Sequence, residues 1–198
     1  WDSDSGFVPI GDDTNQFSGT FDGQGYVIDA LTIKRPMTDF VGLFGRANTG
    51  TTIKNVGLTN ANIIGQYSVG GLVGFHSQGS ITNAYVTGNV SGISGVGGLV
   101  GTNYGSITNA YTTSNVTGGE NEVGGLVGYH RQGSITNAYA KGNVNGTSGV
   151  GGLVGWIYDG TVTNVYATGN VRGTSSVGGL VGILQYDGSS SYSASITN

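Results

Sequence analysis

The chain has 198 residues, a formal net charge of −4 and no cysteine, and 40 of its residues are glycine. With 2 prolines and no Gly-X-Y period, it is not a collagen. The 7 Lys and Arg residues are too few for a phosphate-binding face, which excludes nucleic acid, and the lack of cysteine excludes disulfides and thiolate metal sites. No apolar run approaches the roughly 20 residues that cross a bilayer, so we expect no membrane insertion.

The first 40 residues do not follow the pattern of the rest. Short β-prone runs, such as Phe21 and Val27-Ile28, alternate with turn signals at Asp22-Gly23 and Gly25. Because repeat proteins need atypical end units, residues 1–40 are predicted to form an N-terminal β cap. Residues 41–198 are then predicted to form one continuous repeat domain.

A six-residue segment, Val-Gly-Gly-Leu-Val-Gly, recurs every 27 residues, at Val69–Gly74, Val96–Gly101, Val123–Gly128, Val150–Gly155 and Val177–Gly182. A fixed period of about 20–50 residues indicates a stacked or radial repeat, and propeller blades need about 40–45. Three short β-runs per period and no helix signal predict an all-β fold, a right-handed parallel β-helix (β-solenoid) with one coil per period. The six-residue segment is predicted to form one wall of each coil.

The second β-run of each repeat, Ser80–Tyr85 in one copy, allows the faces to be predicted. Lys141 occupies the position two after the tyrosine, so that position faces water, and alternation turns the tyrosines outward as well. We expect these tyrosines to stack on one another: Tyr85, Tyr111, Tyr139 and Tyr166. The preceding asparagines are predicted to stack at a bend: Asn83, Asn109, Asn137 and Asn164. The leucines of the six-residue segments, from Leu72 to Leu180, are predicted to point into the core.

These residues resemble a known family. Gly70–Gly74, followed by Gly79–Tyr85 and Gly88-Asn89-Val90, is similar to the GLUG repeat of bacterial surface proteins, and Phe17–Gly25 resembles the segment that often precedes such repeats. The resemblance implies a large secreted or cell-surface protein, such as a filamentous-haemagglutinin-like adhesin or an immunoglobulin A peptidase. In the peptidases the repeat is not the catalytic module, so no catalytic residues carry over.

The loops after the six-residue segments vary and are rich in aromatic residues, and stacking places them along one edge of the rod. Aromatic faces beside amides and charges suit a sugar or peptide ligand, although the rings could instead fill the coil interior or cover the corner. The candidate ligand-binding residues are Phe75, His76, Tyr104, Tyr129, His130, Arg131, Trp156, Tyr158, Asp159, Tyr186 and Asp187.

The sequence gives little support for a metal site or a catalytic site. His76 and His130 lie two coils apart, about 10 Å, which is beyond the reach of one zinc ion. Asp159 and Asp187 occupy matching positions about 5 Å apart, a separation also found in retaining glycosidases. Both precede glycine, which is a common turn-forming use of Asp. We therefore predict no catalytic residue and no cofactor, with calcium at Asp159 and Asp187 as a weak alternative.

The sequence predicts a non-enzymatic extracellular adhesin or surface-fibre segment on a bacterial cell surface. Its partners would be a host or environmental glycan, a surface protein or further copies of itself. Ala194–Asn198 begins another unit, whose unpaired edge would favour end-to-end stacking. The alternatives are a carbohydrate-active β-helix enzyme and an ice-binding solenoid, the latter suggested by a row of outward threonines at Thr82, Thr108, Thr136 and Thr163.

Overall fold

A computed structural model of the chain describes residues 4–185 and 194–197. Within them the regular structure consists of β-strands without a helix, and every pairing between named strands is parallel. The predicted site residues Tyr186 and Asp187 lie outside the described residues.

The strands, numbered in chain order, form three sheets that run along the rod. The long sheet contains β1 (Thr20–Asp22), β2 (Val27–Asp29), β3 (Thr32–Lys34), β5 (Thr52–Ile64), β8 (Ser80–Gly92), β11 (Ser106–Thr112), β12 (Asn115–Gly118), β15 (Ser134–Ala140), β16 (Val144–Asn145), β19 (Thr161–Ala167), β20 (Val171–Arg172) and β23 (Ser195–Thr197). The second sheet contains β4 (Phe44–Ala47), β7 (Val73–His76), β10 (Val100–Asn103), β14 (Val127–His130), β18 (Val154–Tyr158) and β22 (Val181–Gln185). The third contains β6 (Tyr67–Gly70), β9 (Ser94–Gly97), β13 (Asn121–Gly124), β17 (Ser148–Gly151) and β21 (Ser175–Gly178).

Each coil passes through the third sheet, the second sheet and the long sheet before the next coil begins. Equivalent residues of successive repeats pair directly, so Ile107 lies between Ile81 and Ile135. The second sheet has six strands, one per coil. The predicted all-β parallel solenoid with three short strands per repeat is confirmed.

The six-residue segment is a corner between two sheets, and the prediction that it forms a single wall was wrong. Val69-Gly70 ends a strand of the third sheet, and Val73 begins the next strand in the second sheet. A Cβ built on Gly70 would lie 2.2 Å from the carbonyl oxygen of Val73, and one on Gly71 would lie 2.6 Å from that of Gly98. The backbone can fold this tightly only where no side chain intervenes, which explains the repeated glycines.

The core of the solenoid is a set of columns of identical or similar apolar side chains. Leu72, Leu99, Leu126 and Leu153 are 0% exposed, as are Ile81, Ile107 and Ile135. The residues directly before the tyrosines are also buried, while the tyrosines are half-buried or exposed. These buried residues are Ala84, Ala110, Ala138 and Val165. The predicted inward and outward faces of this strand are therefore confirmed.

The predicted bend at the stacked asparagines is confirmed. Asn55, Asn83, Asn109, Asn137 and Asn164 all have φ between 52° and 54°, the left-handed region that asparagine tolerates better than most residues. Each side-chain amide donates to the side-chain oxygen of the preceding coil, as Asn83 does to Asn55 at 3.0 Å. This asparagine ladder ends at Asp22, whose Oδ1 accepts from Asn55 at 3.0 Å.

The segment predicted as a cap is built into the parallel stack. Its three strands, β1 to β3, pair with successive parts of β5 in parallel register. Isolated bridges also join Ile10 to Phe44 and Phe17 to Ala47 in the parallel sense. These residues therefore supply most of an additional coil, and their role as a cap stays a prediction.

Candidate functional site

The outward face of the second sheet and the loops after it carry a group of aromatic and cationic side chains, here called the aromatic edge. In the strands, register places Arg46, Phe75, Thr102, Tyr129 and Trp156 in one column. A second column, next to the first, contains Tyr104, Arg131 and Tyr158. Backbone hydrogen bonds from Tyr104 to His76 and from Arg131 to Asn103 set its register. The sequence predicted the alignment of these loops along one edge, and the structure brings them together.

Arg131 forms the centre of the aromatic edge. Its guanidinium carbon lies 5.7 Å from the ring centroid of Tyr104 and 5.5 Å from that of Tyr158, so tyrosines of both neighbouring coils flank it. Its Nη1 donates to the hydroxyl of Tyr104 at 3.3 Å, and this contact raises the pKa of Arg131. The side chain is exposed, and none of the described carboxylates forms a salt bridge with it. The positive charge is therefore held in place and directed to solvent.

A second cation lies at the other end of the edge. The guanidinium carbon of Arg46 lies 4.5 Å from the ring centroids of both Phe40 and Phe75. Arg46 also forms a salt bridge with Asp13, and the ring of Phe75 packs on Tyr104 with centroids 5.4 Å apart. Because its charge is already neutralised, Arg46 organises the rings and leaves Arg131 as the free cation among the described residues of the edge.

The aromatic edge continues past Arg131 through Tyr129 and Trp156, whose rings meet edge to face with centroids 5.8 Å apart. Burial raises the pKa of Tyr129 to about 12, so its phenol stays protonated at neutral pH. Burial also raises the pKa of the Glu122 carboxyl, which is close enough to influence Tyr129. These rings offer partly exposed apolar faces beside a hydroxyl donor.

Two of the predicted site residues do not belong to the edge. The side chains of His76 and His130 are 0% exposed and lie inside the solenoid, on either side of Asn103. Burial lowers the pKa of each imidazole to about 4, so both are neutral at neutral pH. The prediction that they bind an external ligand was wrong, because both side chains point into the interior of the solenoid.

Asp159 is nearly buried, at 8% exposure, and has φ of 60° just before Gly160. This conformation fits the turn-forming role that the sequence suggested. Its predicted partner Asp187 lies outside the described residues, so the carboxylate pair stays a prediction. The described residues contain no group of three or more His, Cys, Asp or Glu side chains that could hold a metal ion.

Two residues of this region were missed by sequence reasoning. Asn103, fully buried between the two histidines, occupies a column that also contains Ala47 and Ile157. Apolar residues at equivalent positions of other repeats were a signal that the column faces inward. The sequence offered no signal for Glu122, which directly precedes the six-residue segment that begins at Val123.

The geometry supports recognition rather than covalent chemistry. The edge combines an exposed, pre-positioned guanidinium with aromatic faces on adjacent coils about 4.8 Å apart. Guanidinium groups pair with carboxylates, and aromatic faces pack against the C–H faces of sugar rings. The histidines that could act as acid or base are instead buried and neutral.

The register, the three parallel sheets and the outward edge define this chain as a parallel β-solenoid. Its repeats match the family model described as "The GLUG motif" at residues 65–91, 119–145 and 146–172. The chain therefore contains GLUG repeats, and each matched stretch spans one coil of the solenoid.

Similar proteins span far more sequence than this chain. Halomucin of Haloquadratum walsbyi is 45% identical over 105 residues, which is 52% of this chain and 1% of halomucin. A proposed Gly-rich membrane protein of Evansella cellulosilytica is 42% identical over 84 residues, 41% of this chain and 10% of that protein. A solved structure, described as a proposed immunoglobulin A1 protease from Bacteroides ovatus, aligns with a TM-score of 0.73 at 26% identity and covers 100% of this chain and 62% of the solved chain.

Among the described residues there is no helix long and apolar enough to cross a membrane.

Proposed function

We propose that this chain is a rigid, non-enzymatic segment of an extracellular surface protein, and that its aromatic edge binds acidic glycans. The observation that carries the proposal is Arg131, exposed, without a described salt-bridge partner and flanked by Tyr104 and Tyr158. The names of halomucin and of the Gly-rich membrane protein support a location at the cell surface or in association with a membrane.

An acidic sugar fits this arrangement better than a neutral one. A uronic acid carboxylate can accept two N–H bonds from one guanidinium, while the sugar's apolar face packs on a neighbouring ring. Tyr104 and Tyr158 hold the guanidinium in place, which reduces the entropy lost on binding. Tyr129, on the same coil as Arg131, and Trp156, on the next coil, extend the apolar surface, which suits an oligosaccharide that lies along the rod.

Rigidity follows from the same repeats. Parallel ladders, buried leucine columns and the asparagine ladder couple each coil to its neighbours, as in other solenoids. A stiff rod can hold the exposed side chains of successive coils at fixed spacing, so that weak contacts to a polymer add together. Adhesion by many weak contacts is therefore the mechanism that we propose.

The test is calorimetric titration with a hyaluronan hexasaccharide, which carries glucuronic acid, and with the neutral cellohexaose. We expect the acidic sugar to bind more tightly and its affinity to fall with added salt. Arg131→Gln is expected to weaken binding about tenfold, a typical effect of a lost charge-assisted bond. Trp156→Ala is expected to weaken it less.

Arg172→Gln is the matched control, because Arg172 is an exposed arginine on the long sheet, away from the aromatic edge. Equal affinities for the acidic and neutral sugars, or equal losses in the two arginine variants, would overturn the proposal. No binding together with concentration-dependent fibres would instead assign the chain a structural role.

Ice binding is a second candidate, favoured by one specific arrangement. Thr82, Thr108, Thr136 and Thr163 form an outward column in register, as predicted. Two residues before it lies a second hydroxyl column, Thr52, Ser80, Ser106, Ser134 and Thr161. The two columns form a lattice of about 4.8 by 6.7 Å. Thermal hysteresis of the freezing point that disappears in Thr108→Lys would support this function over glycan binding.

The alternative of a carbohydrate-active enzyme rests on Asp159 and Asp187, and no observation on the described residues favours it over binding. The test is hydrolysis of the same hexasaccharides: turnover that Asp159→Asn abolishes would replace binding by catalysis.

A further inference from the structure

The tyrosine column ends in an unfilled position. The rings of Tyr85, Tyr111, Tyr139 and Tyr166 stack with centroids 4.8 to 4.9 Å apart and planes within 8° of parallel. In the preceding coil the register places Gly57 opposite Tyr85, so the next ring of the column is missing. One face of Tyr85 is covered by Tyr111, and among the described rings no second one stacks on it.

A depression of about 470 Å³ opens beside Tyr85. It is here called the Tyr85 depression, and its lining includes Asp22, Gln24, Asn55, Gly57, Asn83 and Tyr85. A Cβ on Gly57 would lie 2.2 Å from Cζ of Tyr85, so the ring lies directly over the Gly57 backbone. The absent side chain is what lets the ring lie there and border the depression.

The polar side of the depression is a fixed carboxylate. Oδ1 of Asp22 accepts from the backbone N–H of Gln24 at 2.9 Å and from Asn55 at 3.0 Å, while Oδ2 lies 3.4 Å from Nζ of Lys54. The bond from Asn55 is the main reason that the pKa of Asp22 is lowered, so the carboxylate stays ionised. Asn55 and Asn83 are committed to the asparagine ladder, which leaves the exposed Gln24 side chain as an adjustable donor and acceptor.

We propose that the Tyr85 depression binds one neutral pyranose ring, which packs its C–H groups against the part of the Tyr85 ring that borders the depression and directs its hydroxyl groups to Asp22 and Gln24. Aromatic platforms with a few fixed polar groups are typical of sugar sites, and a volume of this size lies in the ordinary range for ligands. An ionised acceptor favours hydroxyl donors and disfavours an acidic sugar. This site is therefore separate in place and in ligand charge from the aromatic edge, and does not depend on it.

The experiment uses the full chain with ¹³C-labelled tyrosine, titrated with methyl glucoside, methyl galactoside and methyl mannoside and followed by NMR. We expect the ring signals of Tyr85 to shift with saturation for at least one sugar, while those of Tyr166, at the far end of the stack, do not move. Absence of saturable shifts for all three sugars, or equal shifts at Tyr166, would overturn the proposal.

Two variants test the contacts. Gly57→Ala adds a Cβ that displaces the Tyr85 ring, and we expect about a tenfold loss of affinity. Gly179→Ala is its control, since a Cβ there meets no atom of the described residues within 4 Å. Gln24→Gly removes the amide while suiting the positive φ of 52°, so it should fold normally and weaken binding severalfold. Unchanged affinity in both Gly57→Ala and Gln24→Gly would refute the site.

Two further measurements distinguish the Tyr85 depression from the aromatic edge and from a peptide-binding site. Arg131→Gln should bind the methyl glycosides as well as the unmodified chain does, whatever becomes of acidic glycan binding. If N-acetyl-tyrosinamide occupies the Tyr85 depression more tightly than every sugar, the site recognises aromatic peptide side chains and the sugar proposal fails.

Discussion

Oδ1 of Asn103 lies 2.7 Å from Nδ1 of His76 in the interior of the solenoid. On the other side, Nδ2 of Asn103 lies 3.0 Å from Nδ1 of His130 and also donates to the carbonyl oxygen of Gly105 at 2.9 Å. With the amide in this orientation, Nδ1 of His76 donates and Nδ1 of His130 accepts, which assigns opposite tautomers to the two imidazoles. A polar ladder of three coils is thus enclosed in the interior of the solenoid.

Replacing Asn103 should destabilise the solenoid more than its size suggests. Asn103→Ala leaves two buried imidazoles without this partner, and we expect the free energy of unfolding to fall by about 3 kcal/mol. Urea denaturation followed by circular dichroism measures the change. Asn145→Ala, at an exposed asparagine, is the control and should change stability by less than about 0.5 kcal/mol. A similar small change in both variants would show that the ladder contributes little.

The same histidines should make the fold sensitive to mild acid. Each imidazole has a pKa of about 4 in the folded chain, against an ordinary value of 6.5. Above pH 6.5 both states hold a neutral imidazole, whereas between pH 6.5 and 4 the unfolded chain binds protons that the folded chain cannot. The free energy of unfolding should therefore fall as the pH falls through this window, by about 3 kcal/mol per histidine.

The control for the pH effect is His130→Met, which should halve the histidine contribution to the slope of stability against pH between 6.5 and 4. Hydrogen bonds lower the pKa values of Asp12, Asp22 and Asp29 from the ordinary 3.8, so their stabilisation is lost at lower pH. The raised pKa of the Glu122 carboxyl acts in the opposite direction, but it is common to both chains and cancels from the difference between them. Denaturation midpoints at half-unit pH steps provide the data. A variant slope equal to that of the unmodified chain would contradict the assignment to the histidines.

The glycine corner predicts opposite outcomes for one substitution at two equivalent positions. A Cβ on Gly125 would lie 2.1 Å from the carbonyl oxygen of Gly152, and the backbone on both sides is fixed by strands. Gly125→Ala should therefore cost about 3 kcal/mol or more. Gly179→Ala, where the described part of the chain places no atom within 4 Å of the new Cβ, should be neutral or slightly stabilising. Thermal denaturation of the two variants would distinguish steric exclusion from a general need for flexibility.

The tyrosine column should show position-dependent energetics. Tyr111 stacks on two rings and Tyr166 on one of the described rings. If each ring contact is worth about 1 kcal/mol, Tyr111→Ala should cost about 2 kcal/mol of ring contact and Tyr166→Ala half of that. Urea denaturation of the single variants measures this, and equal costs would mean that the stacking itself adds little.

Much of the fold could be read from the repeats. A strict period brings each residue next to its own equivalents, so the tyrosine stack and the asparagine ladder follow once parallel stacking is accepted. Lys141 sufficed to orient one strand, since a charged residue in a column marks its exposed face. Identical residues stack because equivalent positions of successive coils pair, and the fixed repeat length sets that register.

The orientation of residues near corners could not be obtained in this way. His76 follows Phe75 in a strand that begins just after the glycine corner, and alternation from Val73 would place His76 outside. The structure buries both Val73 and His76, so simple alternation of inward and outward side chains does not hold across this strand. Apolar Ala47 and Ile157 in the same column indicated the interior. The other three members, two histidines and an asparagine, are polar, so residue type alone does not decide the direction of these side chains.

The sequence by itself determined the period, the parallel stack, the core leucines and the outward tyrosines, because each depends on neighbours that are copies of the same repeat. The tertiary structure decided which side chains near each corner point out of the core and which point into it. It buried His76 and His130 around Asn103, left Arg131 exposed between two tyrosines, and opened a depression where Gly57 interrupts the tyrosine column. Those outcomes depend on backbone direction at the corners, and contacts between different parts of a coil set that direction.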